Sequence, residues 1–311
     1  MTKINDFKEK DRFTLPLLIK SCTKGTTAKG APYLNLVLQD SSGSIDGKLW
    51  DVKPTDESVA ISGQVVEVNF EVLLYNHALQ LRVNSLKALD QNTINMSEFL
   101  QTSSYSETVL RSEINKLIGS ITNNNLKLLV TEMFKKVDDK FFIYPAASKI
   151  HHGYVGGLAE HTLGMAKTAN ALCTLYPTLS YDLLVSGVLV HDMGKTVELG
   201  GLIGGEYSTE GKLIGHISIC HGWLMEVAEE NNLSNAEETL LLRHMILSHH
   251  GKYEFGSPVL PELREAEILS YIDNIDARMN TLNQALSQVK PGEWTSKIFA
   301  LENRQFYKPK I

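Results

Sequence analysis

The chain has 311 residues, a hydrophobic content of 43% and a formal net charge of −6. This length predicts about two domains, and the hydrophobic content is that of packed cores rather than of a disordered chain. The acidic balance excludes a nucleic-acid binder that relies on bulk positive charge, so any nucleic acid must be held by local grooves. Residues 1–90 carry equal numbers of acidic and basic side chains, so the excess acidity lies beyond them.

The short apolar runs and the scattered cysteines indicate in which cellular compartment the protein is expected. Leu183–Val190 is among the longest apolar runs, and it falls well below the roughly 20 residues that a membrane span requires. Met1–Lys10 is charged and has no apolar signal core, so export is not expected. Cys22, Cys173 and Cys220 lie outside any Cys-x-x-Cys spacing, which is typical of core residues in a reducing compartment. We therefore expect a soluble, cytoplasmic protein without membrane contacts.

The first 90 residues predict short strands separated by turns. Apolar and polar residues alternate in the second strand, Asp40–Gly43 is a hairpin signal, and a longer connection spans residues 51–62. Five strands in a segment of this size predict a small all-β closed barrel of the OB type. The predicted strands are Arg12–Cys22, Pro32–Gln39, Ile45–Trp50, Gly63–Leu74 and Ala78–Val83.

The order of turn and aromatic motifs in this segment resembles OB-folds of the anticodon-binding kind. The motifs are Lys29-Gly30, Pro32-Tyr33-Leu34, Asp40–Gly43 and Trp50-Asp51. Such barrels bind single strands by stacking bases on aromatic rings, with cations near the phosphates. We therefore predict that Tyr33, Trp50 and Lys29 bind substrate; packing in the barrel core and a pure interaction module are the alternatives. Further candidates are Phe70, Tyr75, Lys24, Lys48 and Arg82.

From Met96 onward, apolar residues recur at three- and four-residue steps, which is typical of amphipathic helices. Ser104–Ile118 and Leu126–Val137 are predicted to be connecting helices, and beyond residue 158 the pattern predicts an all-α helical bundle. Its first helix begins near Leu158. The predicted helices that follow are Tyr181–Asp192, Gly215–Glu230, Ala236–His250 and Glu262–Ser287.

Nine of the ten histidines follow residue 150. Most of them lie, with two aspartates, on the faces or at the ends of the predicted helices, as ligands do in metal sites inside helical bundles. Imidazole and carboxylate groups bind divalent first-row metals, and a carboxylate can bridge two ions, so the series predicts a two-metal hydrolase centre. His221 and His244 fit no ligand position. The series is His161, His191-Asp192, His216, His249-His250 and Asp273.

The spacing His161…His191-Asp192…Asp273 resembles the HD superfamily of metal-dependent phosphohydrolases, and His216 with His249-His250 matches its binuclear members. The chain as a whole resembles the YhaM-type 3'-5' exoribonucleases, and the resemblance covers nearly all of its residues. It is carried by the barrel together with the segments Pro145–His152 and Gly156–Thr162. The resemblance implies an OB-fold nucleic-acid-binding domain at residues 1–90, connecting helices at 91–140 and an HD phosphohydrolase domain at 141–311.

The resemblance also implies a ligand set. One metal would be held by His161, His191, Asp192 and Asp273, and a second by Asp192, His216 and either His249 or His250. Asp192 would bridge the two ions, which would activate a water for attack on the phosphodiester and release nucleoside 5'-monophosphates. A histidine-rich set suits Mn²⁺ better than Mg²⁺, with Co²⁺ and Fe²⁺ as further alternatives.

Other residues near this series are predicted to contact the substrate. Lys195, one turn beyond Asp192, would contact the phosphate or the transition state, and a surface lysine after a helix end is its alternative interpretation. Lys149, His151 and His152 would line the substrate channel, unless they only shape the turn before Gly153. The glycine pairs Gly200-Gly201 and Gly204-Gly205 indicate either a lid over the metals or an exposed insertion.

The resulting hypothesis is an exonuclease acting on single-stranded RNA, with single-stranded DNA as a further substrate. An HD-GYP-like cyclic-dinucleotide phosphodiesterase is an alternative, but the chain has Gly256-Ser257-Pro258 in place of Gly-Tyr-Pro, and Gly157 stands where that subfamily has an acidic residue. A nucleotide phosphohydrolase would leave the barrel without a role. A non-catalytic single-strand-binding protein would have no reason to keep the ligand series. Aromatic residues in 291–311 leave a homo-oligomer open.

Overall fold

The computed structural model describes residues 2–27, 30–75, 78–147, 152–202 and 207–311. The chain forms two compact units, one of residues 1–102 with 285–311 and the other of residues 103–284. This division differs from the predicted segments, because residues 285–311 group with the barrel and the predicted connecting helices group with the bundle. The nucleic-acid-binding role of residues 1–90 and the phosphohydrolase role of residues 141–311 remain predictions.

The first unit contains a closed five-stranded barrel, which confirms the predicted fold. The strands follow the order β1-β2-β3-β5-β4, and β4 pairs with β1 to close the barrel. Neighbouring strands are antiparallel except for β3 and β5, which are parallel. A short helix, α1 (Pro54–Val59), lies within the long connection between β3 and β4. The strands are β1 (Arg12–Thr26), β2 (Pro32–Gln39), β3 (Ser44–Trp50), β4 (Val65–Tyr75) and β5 (Ala78–Ala88).

Strand β1 makes closure possible because it is long enough to pair with two neighbours. Its first half pairs with β4 and its second half with β2, and a register shift between Ile19 and Ser21 lies near the change of partner. Such bulges bend and twist a strand, as barrels require. The inward side chains form one core, which includes Leu17, Ile19, Leu36, Leu38, Val68, Phe70 and Leu81.

The second unit is helical, as predicted. Short polar side chains cap several of its helices: Ser106, Asn123 and Ser180 each accept a hydrogen bond from a backbone amide of the first turn. The helices are α2 (Glu107–Ser120), α3 (Asn124–Val137), α4 (Lys140–Ile143), α5 (Gly157–Leu175), α6 (Tyr181–Val190), α7 (Lys195–Glu198), α8 (Thr209–Ile214), α9 (His216–Glu230), α10 (Glu237–Ser248) and α11 (Arg264–Ser287). Short 3₁₀ helices occupy Ile4–Asp6, Gln91–Thr93, Met96–Glu98, Tyr253–Phe255 and Phe299–Leu301.

Helix α6 is the central helix of this unit. All residues from Leu183 to Val190 are buried, as expected for a helix that is apolar on every side. It ends at Val190, two residues before the predicted end, so that His191 and Asp192 lie in the turn that follows. Helices α2 and α3 share its core through side chains such as Leu110 and Val130. Among the described residues, no helix combines the length and apolarity needed to cross a membrane.

Candidate metal centre

The predicted histidine and aspartate series converges on one place in the helical unit. The side chains come from five places: the first turns of α5, the turn after α6, the start of α9, the residues that follow α10 and the middle of α11. His161 and His249 have no exposed surface, and Asp192 is 2% exposed. The converging residues are His161, His191, Asp192, His216, His249, His250 and Asp273.

Asp192 lies at the centre, and its two carboxylate oxygens face different histidines. Oδ2 is 3.2 Å from His191 Nε2 and 3.8 Å from His161 Nε2. Oδ1 is 3.5 Å from His216 Nε2 and 3.6 Å from His249 Nε2. The carboxylate therefore stands between two sets of ring nitrogens.

The ligand atoms fall into two groups on either side of this carboxylate. His161, His191 and Asp273 form the first group, and His216, His249 and His250 form the second; within each, the ligand atoms lie within 4.8 Å of one another. The sequence left the choice between His249 and His250 open. The structure brings both of them into the second group.

Each of the five histidines around Asp192 uses its Nδ1 atom to hold the ring in place. Three donate to backbone carbonyl oxygens and two to carboxylates, so that Nε2 is left to face the centre. This is the arrangement in which a hydrogen bond at one ring nitrogen fixes the tautomer and presents the other nitrogen as a ligand. The acceptors are Val188 O for His191 (2.9 Å), Ile246 O for His249 (2.7 Å), Phe255 O for His250 (2.6 Å), Asp276 Oδ2 for His161 (2.6 Å) and Glu198 Oε1 for His216 (2.9 Å).

Several polar atoms at the centre are buried without a hydrogen-bond partner among the described residues. They are the Nε2 atoms of His191, His216 and His249 and the Oδ1 atom of Asp192. Buried polar atoms are nearly always paired in folded proteins, because an unpaired group loses its hydration without compensation. Nitrogen and oxygen donors that converge in this way fit a divalent metal, and the mixed donor set suits a transition metal.

Charge compensation keeps the central carboxylates ionised. Burial by itself would raise the pKa of Asp192, but the Lys195 ammonium, whose Nζ is 2.6 Å from Oδ2, and His191 hold it well below its usual range. Burial by itself would likewise raise the pKa of Asp273, but the His161 ring, whose Nε2 lies 3.2 Å from Asp273 Oδ1, holds it low. Burial and the neighbouring His249 lower the pKa of His250 to about 4. Ionised carboxylates and a neutral imidazole are the forms that bind metal.

Lys195 is the predicted phosphate contact. Its side chain is 12% exposed, and its ammonium forms an ion pair with Asp192. Burial would lower the pKa of Lys195, but the charges of Asp192 and Asp273 raise it above its ordinary value. The lysine therefore remains charged beside the centre, which differs from the alternative of a surface lysine.

Sequence reasoning missed two carboxylates that accept hydrogen bonds from candidate ligands. Asp276 accepts hydrogen bonds from His161 Nδ1 and from His152 Nε2, at 2.6 and 2.8 Å. Glu198 accepts from the backbone amide and the Nδ1 atom of His216, at 3.0 and 2.9 Å. Asp276 lies one helical turn beyond Asp273, and Glu198 lies one turn beyond Lys195, so a search for carboxylates on the same helix face could have found both.

The three residues predicted to line a substrate channel have different outcomes. Lys149 and His151 lie outside the described residues. His152 is 5% exposed, and its ring nitrogens lie 2.8 Å from Tyr154 Oη and 2.8 Å from Asp276 Oδ2. It is therefore packed against Asp276, which also accepts from His161, rather than placed on an open wall. His221 and His244 lie outside the centre, accepting from Arg243 Nε and from the Glu262 amide.

In the first unit, two of the predicted aromatic residues form a pair on neighbouring strands. Tyr33 of β2 pairs in register with Trp50 of β3, and their ring centroids are 4.9 Å apart. Lys48 Nζ lies 5.3 Å from the Tyr33 ring centroid and 5.4 Å from that of Trp50. Trp50 is 44% exposed. Gly25 of β1 makes room for the tyrosine, since a Cβ there would lie 2.3 Å from its ring.

The remaining barrel candidates are placed differently. Phe70 is buried in the barrel core, which was its alternative interpretation. Lys24 forms an ion pair with Glu57, and Arg82 forms one with Glu71. Tyr75 is exposed at the end of β4. Lys29 lies outside the described residues, so its predicted contact with substrate remains a prediction.

Comparison with known proteins finds a matching family model, a similar sequence and a solved domain. The family model of the HD domain matches residues 158–278, a range that includes every residue of the candidate centre as well as Asp276. A 3'-5' exoribonuclease YhaM from Geobacillus sp. (strain WCH70) is 47% identical over 294 residues, which cover 94% of this chain and 90% of that protein. A solution NMR structure of the second OB-fold domain of replication protein A from Methanococcus maripaludis matches 30% of this chain and 98% of its own, with 19% identity and a TM-score of 0.24.

Proposed function

Since this chain belongs to the family of YhaM 3'-5' exoribonucleases, we propose that it hydrolyses single-stranded RNA from the 3' end in a metal-dependent reaction. The products would be nucleoside 5'-monophosphates, and single-stranded DNA would be a further substrate. One observation carries the metal dependence: Asp192 is buried between two groups of histidine nitrogens, three of which have no hydrogen-bond partner among the described residues.

The two groups of ligand atoms are the reason that we propose two ions per chain. His161, His191 and Asp273 would hold one, His216, His249 and His250 would hold the other, and Asp192 would offer one oxygen to each. When bound, divalent ions act as Lewis acids toward the phosphate and lower the pKa of a water to near neutrality. Mn²⁺ is the ion we propose, because imidazole ligands suit it better than they suit Mg²⁺.

The chain's own residues would prepare the site for phosphodiester hydrolysis. The carbonyl and carboxylate partners of the five Nδ1 atoms fix the rings, so that little reorganisation is needed when substrate binds. The Lys195 ammonium holds Asp192 ionised, and we propose that it also offsets negative charge that develops on the phosphate. Burial of the centre excludes bulk water and strengthens these electrostatic interactions.

The barrel would bind the strand. The paired rings of Tyr33 and Trp50 offer a stacking surface for bases, and the Lys48 ammonium beside them is placed to contact a phosphate. Lys29, Lys149 and His151 remain predicted substrate contacts.

A substrate comparison tests the reaction class. The purified chain with Mn²⁺ would be given 5'-labelled single-stranded RNA, a cyclic dinucleotide and a nucleoside triphosphate in separate reactions. We expect a ladder of progressively shortened RNA. Hydrolysis of only the small molecules would instead support a cyclic-dinucleotide phosphodiesterase or a nucleotide phosphohydrolase, and RNA binding without any hydrolysis would support a non-catalytic binding protein.

Substitution of Asp192 tests the site. We expect Asp192→Ala to abolish RNA cleavage while leaving RNA binding, measured by filter retention, largely intact, because the substitution removes an oxygen from each ligand group. Asp182→Ala is the matched control, since Asp182 lies in the same unit but accepts hydrogen bonds from Thr122 and Asn123. Full activity in Asp192→Ala would contradict the metal-dependent mechanism whatever the substrate.

A further inference from the structure

A chain of hydrogen bonds runs outward from the candidate metal centre through residues that lie outside the predicted ligand series. His161 Nδ1 donates to Asp276 Oδ2 at 2.6 Å, and the same oxygen lies 2.8 Å from His152 Nε2. His152 Nδ1 lies 2.8 Å from the Tyr154 hydroxyl. Since a carboxylate only accepts, His152 donates through Nε2, and in the neutral ring Nδ1 then accepts from the Tyr154 hydroxyl.

The backbone at His152 is held in an unusual conformation. Its φ angle is +48°, in the left-handed region that a residue with a side chain rarely adopts. The Asn280 side-chain oxygen accepts from the His152 amide at 3.0 Å, and Gln284 Nε2 donates to that same oxygen at 3.0 Å. The surroundings therefore stabilise a strained backbone that places the ring against Asp276.

Helix α5 has glycine at two positions that lie against this network. Gly157 and Gly164 lie four residues before and three residues after His161, and thus on the same face of the helix. A Cβ at Gly157 would lie 2.0 Å from the His152 carbonyl oxygen, and one at Gly164 would lie 2.4 Å from Asp276 Oδ1. Any other residue at either position would displace the network, so the helix surface is shaped to accept it.

We propose that His152 and Asp276 are positioning residues for His161. Their hydrogen bonds would fix the tautomer and the orientation of the His161 ring, so that Nε2 faces Asp192 and Asp273, and would thereby set the affinity of the first ligand group for metal. This inference rests on the proposed metal dependence. It assigns His152 a role different from the substrate contact that the sequence predicted, since its ring is buried and both ring nitrogens are engaged.

Metal titration of the metal-free, full-length protein tests this role without any RNA. Isothermal titration calorimetry with Mn²⁺ would give the affinity and the number of ions, and the visible spectrum of added Co²⁺ would report the ligand geometry. In Asp276→Asn we expect binding to the first group to weaken by about 10- to 100-fold, with an altered Co²⁺ spectrum, because loss of such a partner typically has an effect of this size. Binding to the second group should not change.

Two further variants make the result specific. His152→Phe keeps a ring in the space but removes the donor to Asp276, and we expect a smaller loss of affinity of about 10-fold at the same group; it carries the test if Asp276→Asn does not fold. Asp182→Asn is the matched control, because it also replaces a hydrogen-bonded carboxylate of this unit. It should lower the melting temperature of the metal-free protein without changing Mn²⁺ affinity.

The outcomes separate this inference from the proposed function. Unchanged Mn²⁺ affinity in both Asp276→Asn and His152→Phe, with normal binding in the unsubstituted protein, would overturn the positioning role alone. A third ion per chain that is lost in Asp276→Asn would also overturn it, since Asp276 would then be a ligand together with His152 and His161. Absence of Mn²⁺ binding to the unsubstituted protein would overturn the metal dependence and this inference together.

Discussion

At the residue scale, the histidines of this chain differ in which ring nitrogen is hydrogen-bonded: Nδ1 in His249 and His250, and Nε2 in His244. His249 and His250 are adjacent, and each donates through Nδ1 to a backbone carbonyl, so that both Nε2 atoms can face the same group. His244, on the same helix, instead accepts from the Glu262 amide. The residue type alone does not separate these cases, because imidazole can donate, accept or bind metal.

Asp182 permits a prediction about pH at the same scale. Although burial raises its pKa, hydrogen bonds from Thr122 and Asn123 lower the pKa of the folded form below its usual value. A carboxyl with a depressed folded-state pKa stabilises the fold above its unfolded pKa of about 4, and the contribution is lost as the pH falls toward the folded value. With allowance for its solvent exposure, we expect Asp182→Asn to cost about 1 kcal/mol at pH 7.

Denaturant unfolding of both proteins between pH 7 and pH 2.5 measures this difference. The difference in free energy of unfolding should be constant down to about pH 5 and should shrink below about pH 4. A difference that grew on acidification would contradict the assigned hydrogen bonds.

At the element scale, the centre depends on how closely the turn after α6 approaches the start of α9. Gly194 lies in this turn, and a Cβ there would be 2.2 Å from the backbone oxygen of His216. Because the obstacle is backbone rather than a flexible side chain, the clash can be relieved only if the turn after α6 and the start of α9 move apart, which would displace His216 relative to Asp192. The glycine is therefore required for close packing and not for its backbone conformation, because its φ of −60° is accessible to any residue.

We therefore expect Gly194→Ala to destabilise the protein by about 1 to 3 kcal/mol, as overpacked sites do, and also to weaken Mn²⁺ binding to the second ligand group. Gly222→Ala is the control: it lies within α9 with no atom near the added Cβ, and alanine should stabilise the helix by up to about 1 kcal/mol. Thermal unfolding and Mn²⁺ titration would measure both effects. Equal metal affinity in the two variants would mean that α9 does not move.

At the scale of the whole molecule, the two compact units contain different candidate residues. The candidate metal ligands belong to the helical unit, and the aromatic pair of Tyr33 and Trp50 belongs to the barrel. If the barrel binds the strand and the bundle cleaves it, substitutions in the barrel should act on substrate affinity and leave the metal centre intact.

We expect Tyr33→Ala and Trp50→Ala each to raise the KM for single-stranded RNA by about 10-fold, since stacking of a base on an aromatic ring contributes about 1 to 3 kcal/mol. Mn²⁺ affinity and the hydrolysis of a small phosphodiester such as bis-p-nitrophenyl phosphate should not change. Tyr176→Ala, which removes an exposed aromatic ring from the helical unit, is the control. A loss of activity toward the small phosphodiester in the barrel variants would contradict a role confined to strand binding.

Local sequence patterns determined most of the elements. Strand β2 has the predicted bounds because its alternation and flanking turns are local, and the helical period is the reason that His161 and Asp273 were expected within helices, where α5 and α11 contain them. Strand β5 continues to Ala88, beyond the predicted end at Val83, because its polar and exposed last residues gain their hydrogen bonds from β4. Such pairing depends on a partner strand that the local pattern does not contain.

Only the tertiary structure decided which residues of different helices and strands contact one another. The order of histidines and aspartates along the chain was enough to predict a metal centre, since spacing on helices is a local property. It could not show that Asp276 and Glu198 hold the rings of His161 and His216, that His152 is buried, or that His249 and His250 both face the second group. These facts depend on which side chains meet when distant helices pack, and hydrogen bonds between distant residues leave no periodic signal in the sequence.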